Sequence, residues 1–438
     1  VDFRQKNNRQ YVLKSKLAFA NTADYDITYS LLEDGKVIST MPLNGIVLAA
    51  GDSAQITINP LPENAKADAE YFIRFSVKQK NATWWAEAGY EVAGEQFQLK
   101  TAVKKTYKLS AATDLTLQET IDKLTVNGKN FSAEFSKAQG TLTRYVLNGE
   151  ELISSPLRLN VFRLPTENDK VQISNWDDMG IRTLSVTAGN WEVNKTDSLI
   201  MLGITNTNRA TEPNNFIVHL AFAISSDGAV FVNSLIDPQN KNVILPRMGF
   251  CLEMPAEFEQ LSWFGRGPWE SYPDRKEAAF EGLYISTVSK QWESYVLPQE
   301  TSNKEEVRWM ALRNAAGTGL LYVADDKMSA SATHFRPEDL YANRNSRAKH
   351  TWQAAFCENT VVNLDARMRG LGNATCGPDV LEQYELKAGT TTFSFMIIPF
   401  DKVRNDDNLI EKSRVAMPAG LSVFNGTNKN NVIITNSK

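Results

Sequence analysis

Cysteine and histidine are scarce in this chain, with three of each among 438 residues. Cys251, Cys357 and Cys376 are far apart and odd in number. That spacing excludes a disulfide framework and any Cys-x-x-Cys zinc pattern, and leaves buried or idle thiols as the expectation. His219, His334 and His350 form no His-x-x-x-His pair and no local grouping with Asp and Ser. Metal and triad chemistry are therefore not expected, and His219, inside the apolar run Phe216–Leu220, reads as a core histidine. An excess of either charge is also lacking: Lys+Arg 47 against Asp+Glu 51 gives −4. This balance supplies no basic footprint for nucleic acid and no polybasic patch for a membrane surface. No apolar run approaches the roughly 18 residues of a membrane span. No Gly-x-Gly-x-x-Gly follows a strand and no P-loop is present, so dinucleotide and phosphate functions drop out. The chain starts at Val1 without an apolar leader, which fits a piece of a longer protein. Its compartment is then not legible, with a periplasmic or secreted location favoured slightly over the cytoplasm.

What the sequence does contain is alternation. Tyr71, Ile73, Phe75 and Val77 alternate with Arg74, Ser76 and Lys78, broken only at Phe72. Ile27, Tyr29 and Leu31 lead through Asp34-Gly35 to Val37-Ile38, a hairpin signal. Residues 1–104 thus read as an immunoglobulin-like sandwich. Residues 105–121 lose the pattern and read as a linker. From 122 to 401, strands at Leu142–Leu147, Phe216–Ala223, Ala229–Ile236 and Ser394–Pro399 recur between turns such as Asn127-Gly128 and Asn148-Gly149. The fold class expected is all-β, with one large antiparallel sandwich in this second part. A short helix is expected at Pro337-Glu338-Asp339-Leu340, where Pro and acids suit a first turn. Residues 402–438 read as a linker or tail, with Ile433-Ile434 near its end.

Chemistry, if present, should gather near Trp263–Trp309, which holds four of the nine tryptophans. Aromatics interleaved with Arg, Glu, Asp and Asn suit a sugar-stacking platform of Trp263, Trp269, Tyr272, Arg275 and Trp309; composition favours the alternative, a packed sheet edge, since Trp and Tyr mostly serve packing. A glycosidase needs two carboxyls about 5–5.5 Å or 6.5–9.5 Å apart. Adjacent pairs such as Glu305-Glu306, Asp177-Asp178 and Asp406-Asp407 do not supply this, since neighbours on a strand face opposite ways; solvated charge is expected there. Glu270, Asp274 and Glu300 sit among aromatics, with Glu270–Arg266 and Asp274–Arg275 ion pairs as the structural alternative. A strand with apolar Val362, Leu364, Ala366 and Met368 and polar Asn363, Asp365, Arg367 and Arg369 precedes the glycine-rich run Gly370–Asp379. That run is either a ligand-reaching loop or a plain connection.

At these residues the sequence resembles family 2 β-galactosidases. Gly265-Arg266-Gly267-Pro268-Trp269-Glu270-Ser271-Tyr272-Pro273-Asp274-Arg275 resembles the family's G-x-G-P-x-E-x-Y-x-D-R segment. Tyr295–Glu300, Asn303, Val307–Trp309, Arg163–Asp169 and the Gly370–Asp379 loop continue the likeness in order. Asn81-Ala82-Thr83-Trp84-Trp85-Ala86-Glu87-Ala88-Gly89 is similar to its N-A-x-x-W-x-E-A-G signature. The resemblance implies the family's fourth, immunoglobulin-like domain and its fifth, a galactose mutarotase-like supersandwich. It also implies a separate catalytic (β/α)₈ barrel, which nothing in this chain encodes. No catalytic residue is carried over. The implied role is non-catalytic: supporting the barrel in hydrolysis of terminal β-galactosides and completing its sugar site through residues 370–379. Asn373, Thr375 and Cys376 would face the sugar, with Cys376 near a position where the family places Trp. Magnesium and sodium are expected in the barrel and no cofactor in this chain. Implied partners are a galactoside or oligosaccharide, the barrel itself, and homo-oligomeric copies. The alternative is a stand-alone carbohydrate-binding module using the Trp263–Trp309 platform. An aldose epimerase is a third reading, but it wants a His acid beside a Glu base.

Overall fold

The computed structural model describes residues 1–111, 114–403 and 405–418. Strands dominate, and by contact density the chain divides into a unit of Val1–Lys105 with Phe280–Leu283 and a larger unit of the remaining residues.

In the first unit, strands Asp2–Asn7, Gln10–Lys14 and Ser53–Thr57 form one sheet, and Lys36–Pro42, Tyr25–Glu33, Tyr71–Gln79 and Glu91–Lys100 form a second. The expected hairpin is present: Asp34 and Gly35 take φ of 46° and 79° between paired strands. Such consecutive positive φ values match the right-handed twist of the strands they join. Alternation on Tyr71–Gln79 puts Tyr71, Ile73, Phe75 and Val77 into a core shared with Phe3, Tyr11 and Leu13. Phe3 stacks on Phe75 at 4.8 Å, so the two sheets meet through aromatic rings.

The larger unit is built on two antiparallel sheets, one of five strands and one of thirteen. The first is a meander running from Thr116–Glu119 through Lys123–Asn127, Phe131–Ser136 and Thr141–Leu147 to Glu150–Ile153. In the second, a path of nine strands begins at Arg158–Asn160 and ends at Ser185–Ala188. A continuous core runs between the sheets from Leu124 and Phe135 to Phe395 and Ile397. The all-β supersandwich architecture is therefore the one expected, and the helix at Pro337–Leu340 is present.

Three local expectations need correction. Residues 116–119, read as linker, complete the five-stranded meander because Leu117 packs on the core. Beyond 401, the chain does not trail off: Asp407–Ser413 is a helix that buries Leu409 and Ile410. Asp406 before it is buried, accepting from Ser262 Oγ (2.9 Å) and Arg313 Nη1 (2.8 Å), so it is not solvated charge. Tyr107 N then donates to Ala416 O (3.1 Å). Ile433-Ile434 lie outside the described residues.

Candidate functional site

The strand Thr360–Met368 delivers the chain to the 370–379 loop, and of its expected polar face Asn363 and Asp365 are buried while Arg367 is exposed. The buried part of that face is an internal charged layer. Arg247 pairs with Asp365 (2.6 Å) and approaches Glu300 (3.5 Å). Burial pushes the carboxyls of Glu300 and Asp365 upward, against the pull of Arg247. The cavity beside Arg247 and Glu300 is about 30 Å³. That is room for one or two waters, not a sugar ring.

A second buried cluster fixes the loop. Thr166 N and Oγ1 both donate to Asp169 Oδ2 (2.9 Å each), closing a short turn over Glu167–Val171. Asp169 Oδ1 accepts from Arg163 Nη2 (2.7 Å) and Arg369 Nη1 (3.2 Å). All three side chains are fully buried. Arg163 also donates to the carbonyls of Arg369 (2.6 Å) and Gly370 (3.1 Å). Arg369 also reaches Asp379 (3.0 Å) and Glu385 (2.9 Å). Both ends of the loop are tied to one charged cluster whose geometry Arg's planar fork can satisfy.

The Tyr-x-Asp-Arg segment grips the middle. Asp274 accepts from the backbone N–H groups of Leu371 (2.9 Å) and Gly372 (2.7 Å). A side chain at Gly370 would put its Cβ 2.7 Å from the Asp274 carboxyl carbon, so glycine is required for this approach. Arg275 donates to Gly372 O and Asn373 Oδ1 (3.1 Å). Neither residue forms the expected pair with the other. Glu270 likewise does not pair with Arg266: it accepts from Tyr295 Oη, Tyr272 Oη (3.3 Å) and Ser302 N (2.9 Å). Arg266 pairs with Glu306 (3.1 Å) instead.

Asn168 completes the frame. Its amide donates to Gly372 O (2.9 Å), and its oxygen accepts from Thr375 N (3.0 Å) and Oγ1 (2.6 Å). Lys170 Nζ donates to Thr375 O (3.0 Å). These two supports were not foreseen, although Asn168 stands inside a motif the sequence had flagged. Asn373, Thr375, Cys376 and Gly377 are left exposed at the tip, and Ala374 packs inward.

The tryptophan platform does not assemble. Trp263 is 2% exposed and Tyr272 and Trp309 are each 1% exposed, leaving Trp269 at 70%. Trp263 stacks on Tyr284 at 5.3 Å within the core. The adjacent acids are not solvated pairs either. Glu305 is buried and accepts from Asn303 Nδ2 (2.8 Å) and Ser329 Oγ (2.7 Å). Asp177 accepts from Tyr341 Oη (2.9 Å) and Arg344 N (2.9 Å). Among the histidines, His219 is buried against Thr205 Oγ1 (2.9 Å), His334 meets Glu259 (2.8 Å), and His350 stacks on Trp352. Of the cysteines, Cys251 is buried, Cys357 half-buried and Cys376 exposed.

Three stretches distant in sequence, 163–170, 272–275 and 370–379, thus converge on one presented loop. The model of the β-galactosidase small chain matches residues 127–397, which include all three. The chain belongs to this family. The model of β-galactosidase domain 4 matches residues 11–100, the smaller unit. Among curated relatives, the β-galactosidase of Priestia megaterium is 27% identical over 83% of this chain and 34% of its own length. That of Lactobacillus delbrueckii subsp. bulgaricus is 27% identical over 86% and 36%. That of Staphylococcus xylosus is 24% identical over 88% and 38%. The chain therefore spans little more than a third of the relatives it matches. Among solved structures, a putative aldose 1-epimerase from Escherichia coli K12 overlaps 66% of the chain with 10% identity and a TM-score of 0.34. No helix among the described residues is long and apolar enough to cross a membrane.

Proposed function

We propose that this small-chain region works as the non-catalytic C-terminal part of a β-galactosidase, completing through its 370–379 loop a sugar site built elsewhere. The observation that carries this is the dense support of the loop combined with its exposed tip. Arg163, Asp274 and Asn168 hydrogen-bond backbone atoms of 369–375, and Asp169 in turn fixes the side chains of Arg163 and Arg369. Such second-layer support keeps a binding group within tolerance of its target. Asn373, Thr375 and Cys376 then offer an amide, a hydroxyl and a small thiol to a ligand. A Cys in place of an aromatic gives up the roughly 0.5–1.5 kcal/mol of ring stacking. The parent reaction is hydrolysis of terminal β-galactosides, with magnesium and sodium assigned to the remaining two thirds of the protein. Among the described residues no group of His, Cys, Asp and Glu is placed to hold a metal.

Exposed Trp269, Trp352 and Phe356 in the larger unit supply apolar surface for that remaining part to cover. The stand-alone sugar platform has no comparable support, because Trp263, Tyr272 and Trp309 are closed to ligand. The test is kinetic. This chain by itself should leave a nitrophenyl β-galactoside intact, and turnover would overturn the assignment. In the whole enzyme, replacing Asn373 and Cys376 by alanine should cost about tenfold in kcat/KM. Unchanged kinetics would remove the loop from the site.

A further inference from the structure

The nine-strand path of the large sheet ends in two strands that have no second partner among the described residues. Arg158–Asn160 pairs only with Arg247–Met254, and Ser185–Ala188 pairs only with Leu199–Arg209. Both ends line one cavity of about 270 Å³. That volume is close to the lower end of small-ligand pockets, about 300 Å³. It shares no lining residue with the 370–379 loop or with the clusters that hold it.

Three polar groups of this cavity are left with bonding capacity. Asn208 is only 5% exposed, and its side-chain amide has no hydrogen-bond partner among the described residues. At the cavity wall this amide can both donate to and accept from a ligand. Glu338 Oε1 accepts from Arg158 (3.3 Å), whereas its buried Oε2 has no donor. Arg182 lines the cavity half-buried and has no carboxylate partner among the described residues. The other two arginines are neutralised: Arg158 by Glu338, and Arg336 by Glu253 through paired bonds of 2.6 and 2.7 Å. The cavity wall therefore offers one arginine with no carboxylate partner among the described residues, one amide that can donate and accept, and one carboxylate oxygen awaiting a donor.

We propose that this seam between the two sheet ends is a binding site for a sugar acid: a single polyhydroxylated ring bearing one carboxylate. Arg182 takes the carboxylate through its planar fork, Glu338 Oε2 accepts from one ring hydroxyl, and Asn208 bonds another. A neutral sugar leaves the Arg182 charge unanswered, and a simple inorganic anion leaves Asn208 and Glu338 Oε2 unsatisfied. The preference follows from using all three groups at once.

The test is calorimetric titration of this chain with D-galacturonate and, separately, with D-galactose and sodium sulfate. Galacturonate should bind at least about tenfold more tightly than either control, because only it makes the charge-assisted pair and the two hydroxyl bonds together. Arg182→Ala should weaken galacturonate binding by about tenfold or more. Asn208→Leu should weaken it by about tenfold by removing the amide while the fold, followed by circular dichroism and the urea midpoint, is retained. Two further outcomes overturn the proposal: no heat from galacturonate at about 10 mM, well above the 1 mM range of a weak site, or equal binding by wild type and Arg182→Ala. Equal affinity for galactose and galacturonate does so as well. The outcome is separable from that of the β-galactosidase assay, since no residue of this cavity serves the loop.

Discussion

Replacing Glu305 by Gln should stabilise the larger unit above neutral pH. Glu305 is buried beside Asn303 and Ser329, whose donors favour its charged form. Burial nevertheless dominates and raises its pKa from 4.5 to about 7. The folded state thus holds a proton at pH 6 that the unfolded chain has already released. Because the native state binds more protons between the two pKa values, stability falls as pH rises from about 4.5 to about 7 and then levels off. At ~1.4 kcal/mol per pKa unit, the full displacement amounts to about 3 kcal/mol. Glutamine keeps an acceptor for Asn303 and Ser329 and mimics the neutral acid, so Glu305→Gln should be worth up to about 3 kcal/mol at pH 8 and little at pH 5. Urea unfolding of wild type and variant across pH 5 to 8, read by tryptophan fluorescence, measures this. Lys304 gives a control of opposite sign: burial lowers it to about 8, so its contribution should return as pH rises above 8 towards its unfolded value. A Glu305→Gln difference independent of pH would refute the reasoning, as would a variant less stable than wild type at pH 8.

Asp169→Ala leaves Arg163 and Arg369 buried without their shared carboxylate and should cost about 3–5 kcal/mol in urea unfolding; a loss under about 1 kcal/mol would show that the cluster is not what ties the loop. Asp274→Asn should speed amide exchange at Leu371 and Gly372 about tenfold, since one weakened acceptor serves both N–H groups. Trp263→Ala should destabilise by about 3–5 kcal/mol through its cavity, whereas exposed Trp269→Ala should stay within about 0.5 kcal/mol. The reverse order would restore the idea of a solvent-facing platform.

Strand alternation and turn chemistry were legible because each depends on residues close in sequence. Asp34-Gly35 announces its hairpin, and Tyr71 to Val77 announce their core face, without reference to the rest of the chain. The same logic misplaces what is decided at long range. Thr116–Glu119 has no strong apolar pattern, and only its neighbour Lys123–Asn127 makes it a strand. Glu305 and Asp406 look like solvent-facing acids until Ser329 and Arg313, distant in sequence, supply their partners. A period of two shows which side chains share a face; whether the second face meets water or another layer is set by sheets folded around it. Asn363 and Asp365 are polar yet buried for that reason.

The aromatic stretch shows how a motif can mark a site without forming it. Its signature residues include Trp263, Tyr272 and Trp309, which pack inward, yet Asp274 and Arg275 in the same run hold Gly372 from beneath. A packed aromatic base fixes the turn, the turn fixes the carboxylate of Asp274, and the carboxylate fixes two backbone amides of the loop. Each step removes freedom that a ligand would otherwise have to remove on binding, at roughly 1–2 kcal/mol per ordered residue. On the proposed role, a sugar would meet the exposed Asn373, Thr375 and Cys376, whose backbone is held from below; of these only Cys376 takes no part in that support. A Cys at the tip changes the contact offered, and the 163–169 and 272–275 segments beneath it continue to present it.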